Sequence, residues 1–404
     1  MESSKCIFGA LFLVISMLLS LINGDPLVPA LCIFGDSVVD VGNNNNLSTL
    51  IKANFLPYGR DFVTHRPTGR FSNGKLAIDF TAQYLGFNSY PPAYLSQDAR
   101  GRNIMTGVNF ASAASGYYDI TAQLYSAQWL SAQSMNQLVM GSTLVGGQKL
   151  ETTSLPLSRG KAAYYPTLQT LQMRDILRAL TLQQQLAFYK DWQKRVVNLV
   201  GRAKANAIFS GGIHLISAGS SDFIQNYYIN PILNTAFTPD QFSDILMRSY
   251  STLIQNLYDL GARRIGVTTL PPTGCLPAAI TLFGLGSNQC VERLNRDAVS
   301  FNNKLNTTSQ ILKTSFSGLR LVVFDIYQPL LDFITKPSDN GFFESRRACC
   351  GTGTIETSFL CNERSVGTCS NATGYVFWDG FHPSESANEK LAQSLLGQGF
   401  ALIS

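Results

Sequence analysis

The chain has 404 residues, of which 45% are hydrophobic and only 14% are charged. This composition excludes a disordered chain, which would be poor in apolar residues and rich in charge, and it argues against a coiled coil. The formal net charge of +5 is small for this length. No concentrated basic stretch is interleaved with aromatic residues, so we do not expect nucleic-acid binding.

An apolar run follows Lys5 near the N-terminus and covers residues 7–21. It is shorter than the roughly 20 residues of a membrane span, and Asn23, Asp25 and Pro26 end it. We therefore predict a signal peptide over residues 1–24, cleaved after Gly24. An uncleaved anchor is the alternative. The mature protein is then expected to be secreted, with no stable membrane span.

Export predicts glycans and disulfides. Asn46, Asn306 and Asn371 each begin an Asn-x-Ser/Thr triplet and are predicted glycosylation sites. Cys32 lies in an apolar run and is predicted to be a buried free thiol. Zinc binding by the other cysteines is disfavoured, because cysteines in an oxidising compartment usually pair. The six cysteines predicted to form three disulfides, with the pairing left open, are Cys275, Cys290, Cys349, Cys350, Cys361 and Cys369.

Short apolar strands alternate with amphipathic helices along the chain. Residues 27–34 read as a buried strand that stops at Gly35. Thr238, Pro239 and Gln241 form a capping pattern for a helix that runs to Leu260. This alternation predicts an α/β sandwich with a mostly parallel sheet, in one domain over residues 25–404. The later predicted elements are a strand over 264–269, a helix over 291–316, a strand over 319–326 and a helix over 383–396, the last with Ser386 and Glu389 at capping-box spacing.

One stretch, residues 125–178, does not fit this alternation. Its periodicity is weak, and Gly, Ser and Gln are scattered through it. A structureless loop of that length is uncommon in a compact domain. We therefore predict an atypical insertion.

Two segments carry residues suited to nucleophilic catalysis. Ser37 follows the first strand, at the edge where open α/β folds place their sites. Asp379 and His382 are three residues apart in sequence, just before the last helix. The carboxylate can therefore orient one imidazole nitrogen of His382, while the other imidazole nitrogen takes a proton from a serine. Taken alone, Ser37 is more simply a turn residue. The elbow Gly-x-Ser-x-Gly is absent from the chain, which disfavours a standard α/β-hydrolase.

Acyl transfer also needs donors for the developing oxyanion. Residues 107–116 are small and end at Gly116, and residues 216–223 form an apolar stretch that ends in Gly and hydroxyls, among them Ser221. Taken singly, each segment is explained as well by tight helix–strand packing.

In this order, the segments resemble the blocks of the plant GDSL esterase/lipases in the SGNH hydrolase superfamily. The first block is similar to Phe34-Gly35-Asp36-Ser37, and the second to the stretch that ends at Gly116. The third, usually Gly-x-Asn-Asp, is Gly219-Ser220-Ser221-Asp222 here, so Ser221 stands where the family has an oxyanion asparagine. Supporting matches are Pro67 to Gly74, Pro271 to Cys275 and Cys349-Cys350-Gly351.

The resemblance implies a three-layer α/β/α sandwich and a Ser37–His382–Asp379 triad. It implies oxyanion donors at Gly116 and Ser221, and no metal or organic cofactor. The expected protein is a monomeric apoplastic esterase or lipase acting on a small-molecule or lipid ester. A polysaccharide acetyl esterase and a non-catalytic glycoprotein of the same fold remain as alternatives.

The family has no counterpart to residues 125–178. This stretch is interpreted as sequence that is normally spliced out, with a substrate lid as the alternative. His65 and His214 are expected to be structural.

Overall fold

The computed structural model describes residues 24–124 and 178–404. Two predicted segments lie outside the described residues. These are the signal peptide, apart from Gly24, and the insertion, apart from Arg178. The strands are β1 Leu31–Gly35, β2 Ile213–Ser217, β3 Arg264–Thr268, β4 Arg320–Phe324, β5 Glu344–Ala348 and β6 Tyr375–Phe377. The helices are α1 Ala77–Tyr84, α2 Thr121–Leu124, α3 Leu182–Val200, α4 Arg202–Gly211, α5 Pro231–Ala236, α6 Pro239–Asp259, α7 Pro277–Phe283, α8 Glu292–Ser315, α9 Tyr327–Thr335 and α10 Glu385–Ile403.

The first four strands form one parallel sheet in the order β1-β2-β3-β4. Gly35 at the end of β1 is opposite Ser217 at the end of β2, so the carboxyl ends of these strands meet at one edge. Strands β5 and β6 pair separately, also in parallel. The predicted mostly parallel sheet is confirmed.

Helices cover both faces of this sheet. Side chains alternate between the faces along a strand. Accordingly, Cys32 and Phe34 pack into a core with α3, α4, α6 and α8, whereas Leu31 and Ile33 pack into a second core with α1 and α10. Burial on both faces explains why β1 is a continuous apolar run. The result is the expected three-layer α/β/α sandwich.

The capping pattern at Thr238 is confirmed in α6. The Thr238 side chain accepts the N–H of Gln241, and Gly261 beyond the helix end has a φ of 98°. The predicted cap of the last helix is wrong. Ser384, rather than Ser386, accepts the N–H of Ala387, so α10 begins at Glu385 and continues to Ile403.

Six cysteines form three disulfides, and Cys32 is a buried free thiol, as predicted. Among the described residues, no helix is long and apolar enough to cross a membrane. The disulfides are Cys275–Cys290, Cys349–Cys369 and Cys350–Cys361.

Candidate active site

Ser37 lies in the loop that leaves β1 at the carboxyl edge of the sheet. The loop turns at Gly35, whose φ is 141°, and a Cβ at this position would overlap the carbonyl oxygen of Ser217. Only glycine combines this conformation with so close an approach to β2. The adjacent Asp36 N–H donates to the same carbonyl at 3.0 Å, which fixes the start of the loop.

Ser37, His382 and Asp379 form a continuous hydrogen-bonded chain. The Ser37 Oγ is 2.7 Å from the His382 Nε2, and the His382 Nδ1 is 2.7 Å from the Asp379 Oδ1. All three residues are buried. This geometry suits proton transfer from the serine hydroxyl to Nε2, with the carboxylate holding the imidazole and stabilising the imidazolium.

The Asp379 carboxylate accepts donors at both oxygens. The N–H groups of Phe381 and His382 donate to Oδ1, each at 2.9 Å. The hydroxyls of Tyr58 and Thr357 donate to Oδ2 at 2.6 and 3.2 Å. Sequence reasoning did not identify Tyr58 or Thr357, because no local pattern connects them to the Asp379–His382 pair.

Asp36, next to Ser37, has a buried carboxyl group. Its Oδ1 accepts the N–H of Val38 at 3.2 Å, and its Oδ2 has no hydrogen-bond partner among the described residues. Burial raises the pKa of Asp36 to about 7, although the N–H of Val38 and the nearby His382 lower it. Asp36 therefore changes charge near neutral pH beside the candidate nucleophile.

The segment 107–116 lies beside the Ser37 loop. Asp40 accepts the N–H of Ala113 at 3.0 Å and so joins the two segments. Ala114 has a left-handed φ of 68°, a conformation that favours glycine. Within residues 24–124 and 178–404, neither the Ala114 N–H nor the Gly116 N–H has a hydrogen-bond acceptor, and the same holds for the Ser37 N–H.

Gly116 is packed tightly against the third block. A Cβ on Gly116 would overlap the Asp222 carboxylate, which accepts the N–H groups of Tyr117 and Tyr118 at 2.7 and 3.1 Å. Burial raises the pKa of Asp222 to about 7, against the effect of these hydrogen bonds. A packing role for Gly116 is therefore established by contact. Its role as an oxyanion donor stays a prediction.

Ser221 is buried and immediately precedes the π-helical segment Asp222–Tyr227. This segment follows β2, so Ser221 lies at the same edge of the sheet as Ser37. Gln185 on α3 also belongs to this edge and was not identified from the sequence. Its amide accepts the Gly35 N–H and donates to the Gly35 carbonyl, both at 2.9 Å.

The other two histidines take no part in this cluster. His65 is exposed, and its Nδ1 is 2.9 Å from the Arg60 carbonyl oxygen. His214 lies within β2, rather than before it, and its Nε2 is 2.8 Å from the Tyr189 hydroxyl. Burial lowers the pKa of His214 to about 4, so the ring is neutral at physiological pH.

A cavity of ≈ 440 Å³ lies between the sheet and helices α1 and α10. Its lining includes Val38, Phe381 and Pro383, which are sequence neighbours of Ser37 and His382, but not Ser37 or His382 themselves. It also includes residues of α10, among them Gly399 and Phe400. Its lining is mainly apolar. In the parts of the chain that the structure describes, no group of three or more His, Cys, Asp or Glu residues is arranged to hold a metal ion.

Comparison with known proteins gives one consistent family. The model of the GDSL-like lipase/acylhydrolase family matches residues 31–395. A protein of Arabidopsis thaliana named GDSL esterase/lipase is 62% identical over 384 residues, which cover 95% of this chain and 94% of the relative. A second with the same designation is 59% identical over 403 residues, covering 98% and 99%. The GDSL esterase/lipase APG of Arabidopsis thaliana is 48% identical over 402 residues, with 99% of each chain covered. The chain therefore belongs to the GDSL-like lipase/acylhydrolase family.

Proposed function

We propose that this protein hydrolyses carboxylic esters through a covalent acyl-enzyme on Ser37. The observation that carries the proposal is the hydrogen-bonded chain from Ser37 through His382 to Asp379 at the carboxyl edge of the sheet. Family membership supports ester hydrolysis independently of this geometry.

In the proposed reaction, Ser37 Oγ attacks the ester carbonyl carbon while its proton passes to the His382 Nε2. The tetrahedral intermediate collapses, and the C–O bond to the alcohol breaks as Nε2 returns the proton to the leaving oxygen. Water then attacks the acyl-enzyme, giving up a proton to Nε2, and the carboxylic acid leaves as Ser37 regains its proton. Only neutral imidazole accepts the first proton, so activity is expected to fall in acid.

The oxyanion would be held by backbone N–H groups and by Ser221. The N–H groups of Ser37, Ala114 and Gly116 have no acceptor in the described ranges, which suits them to an oxygen supplied by substrate. The Ser221 hydroxyl also donates, but it is shorter and rotates more freely than the asparagine amide of the family pattern. The replacement of that asparagine is the feature that favours the alternative, a glycoprotein of this fold without turnover.

The cavity beside the Ser37 loop favours an ester with an apolar acyl chain over a polysaccharide acetate. Its volume is within the range of about 300–1,000 Å³ that is usual for ligand pockets. Its mainly apolar lining includes the sequence neighbours of Ser37 and His382 as well as residues along α10. An acetyl group would leave this surface unused, whereas a long acyl chain would bury it.

Two glycines on α10 offer a matched test of this substrate class. Gly399 lines the cavity, and a Cβ there would make ordinary contact with Phe324 at 3.6 Å. Gly397 is exposed, and nothing lies within 4 Å of its Cβ position. On p-nitrophenyl esters of two to sixteen carbons, we expect Gly399→Leu to lower kcat/KM for the long chains alone, and Gly397→Leu to leave the whole series unchanged. Equal effects of Gly399→Leu on acetate and long chains would contradict an acyl chain in this cavity.

We further propose that the protein is secreted as a monomeric glycoprotein. Three disulfides suit an oxidising compartment, and the three predicted glycosylation sites, Asn46, Asn306 and Asn371, are all exposed. N-terminal sequencing of the secreted protein should begin at Asp25, and enzymatic deglycosylation should lower its mass. Retention of the protein inside the cell with residues 1–24 still attached would contradict secretion.

A further inference from the structure

We propose that Tyr58 is a positioning residue for Asp379, acting through a directional chain of hydrogen bonds that ends on the carboxylate. The inference rests on the proposed function, because Asp379 matters to catalysis only if His382 is the base. It concerns a residue that is 321 positions from Asp379 in sequence.

The direction of the chain follows from the atoms involved. The Ser358 backbone N–H can only donate, and its acceptor is the Tyr58 hydroxyl oxygen at 2.8 Å. An ionised carboxylate can only accept, so the phenolic proton is directed to the Asp379 Oδ2 at 2.6 Å. Each group in the sequence Ser358 N–H, Tyr58 O–H and Asp379 therefore has one permitted role.

Tyr58 is held in place by its ring as well as by its hydroxyl. The side chain is fully buried, and its ring packs edge-on against Phe55, Phe71 and Trp378 at centroid distances of 5.8, 5.8 and 6.3 Å. Burial and the Asp379 charge raise the pKa of Tyr58 well above its ordinary value of 10. The phenol therefore keeps its proton, and remains a donor, throughout the working pH range.

The residues that support Tyr58 form an anchored loop. Ser358 has a left-handed φ of 50°, which is unusual for serine, and its hydroxyl is 3.0 Å from the Leu50 carbonyl oxygen. The preceding residue, Thr357, gives Asp379 its second hydroxyl donor. The Cys350–Cys361 disulfide closes the loop that contains both residues. A strained residue held by several contacts is often part of a functional site.

These donors have two expected effects on Asp379. They prevent the carboxylate from rotating, so both oxygens stay within 2.9 Å of the His382 Nδ1. They also share its negative charge, so the carboxylate attracts the imidazole proton less strongly than it would without them. Holding the carboxylate in place supports kcat. Sharing its charge influences the pH at which the His382 imidazole becomes protonated and can no longer act as the base.

Tyr58→Phe tests both effects, because it removes the hydroxyl and keeps the ring. We expect kcat to fall about tenfold with little change in KM, as for the loss of one hydrogen bond to a charged group. We also expect the acidic limb of the kcat/KM profile to move to higher pH. The buried Asp36 carboxyl, another titratable group near His382, is unchanged in this variant and contributes to both profiles alike. Thr357→Val should shift the limb in the same direction by less, and it provides a second test if Tyr58→Phe does not fold.

Tyr250→Phe is the matched control. Tyr250 is also fully buried, and its hydroxyl shares one hydrogen bond with Ser309 on α8 at 2.7 Å, not with the Asp379–His382 pair. Its ring packs edge-on against Tyr117 at 5.8 Å, and the Phe variant keeps that ring. The Tyr250→Phe variant should be less stable than the parent, but the acidic limb of its kcat/KM profile should not shift. An unshifted limb in both Tyr58→Phe and Thr357→Val would overturn the inference, even if activity fell.

The rate at which a fluorophosphonate probe labels Ser37 separates this inference from the proposed function. Absence of labelling in the parent would reject the proposed function itself. Labelling of the parent, with the same rate and the same pH profile in Tyr58→Phe, would reject only the role of Tyr58. Slower labelling of Tyr58→Phe with a shifted acidic limb is the result that supports it.

Discussion

Replacing Asp379 by asparagine should nearly abolish turnover while leaving the fold intact. The N–H groups of Phe381 and His382 fix an acceptor at the Oδ1 position, so the amide oxygen must take that place. The amide nitrogen then occupies the Oδ2 position, where the hydroxyls of Tyr58 and Thr357 already donate. These donors lose their acceptor, and the imidazolium loses its neutralising charge. Rotating the amide would set its nitrogen against two backbone donors instead.

The expected loss in kcat/KM is on the order of 10³–10⁴, or about 4–5.5 kcal/mol of transition-state stabilisation. The unmet donors should also lower the free energy of unfolding by about 1–3 kcal/mol. The assay is hydrolysis of a p-nitrophenyl ester, with near-ultraviolet circular dichroism to verify folding. Asp61→Asn, at an exposed carboxylate, is the control and should retain parental kinetics. A folded Asp379→Asn protein within tenfold of the parent would refute this account of the carboxylate.

Three further predictions concern the oxyanion donor, the buried carboxyl group and residues 125–178. In steady-state kinetics, Ser221→Ala should lower kcat by on the order of 10²-fold with a smaller change in KM, and the kcat of Ser221→Asn should match or exceed that of the parent. Equal kcat in the parent and Ser221→Ala would show that Ser221 has only a packing role. The pKa of Asp36 is raised to about 7, above its ordinary 3.8, so the folded state binds more protons than the unfolded state between these values. The contribution of Asp36 to the free energy of unfolding is therefore lost as pH rises through this window, by at most about 1.4 kcal/mol per pH unit. In urea denaturation, the free energy of unfolding of Asp36→Asn should decline less with rising pH than that of the parent. An equal decline in both proteins would contradict the raised pKa. Deletion of 125–178 should preserve the fold and preserve or raise activity, because the Ala179 N–H already donates to the Ala122 carbonyl at 3.0 Å across the junction. Loss of solubility on deletion would make the segment structural, and loss of long-chain substrates alone would make it a lid.

Features that depend on neighbouring residues could be predicted from the sequence. The cap at Thr238 depends on Gln241, three residues later, and the pairing of Asp379 with His382 depends on the same spacing. The end of β1 at Gly35 was likewise evident from the glycine that follows an apolar run. The start of α10 was not evident from the sequence, because Ser384 and Ser386 both have a hydroxyl that could cap the helix. Only the position of the Ala387 N–H decides between them.

Features that depend on distant contacts could not be predicted. Tyr58 meets Asp379, and Gln185 meets Gly35, only after the sheet and the C-terminal segments have assembled. The pKa of Asp36 is raised by burial, which is a property of the packed core and not of its neighbours in sequence. The disulfide pairing remained open for the same reason, since adjacent Cys349 and Cys350 join different partners in space.

Whether Ser37 is the nucleophile is tested directly by peptide mass spectrometry, which identifies the residue that a fluorophosphonate probe modifies in the labelled protein. We expect a single adduct on Ser37, because this is the hydroxyl placed 2.7 Å from the His382 Nε2. The adduct and ester turnover should both disappear in a folded Ser37→Ala protein. Labelling of another serine, or ester turnover that persists in Ser37→Ala, would contradict the assignment. An unlabelled, inactive parent would indicate a non-catalytic protein of the same fold.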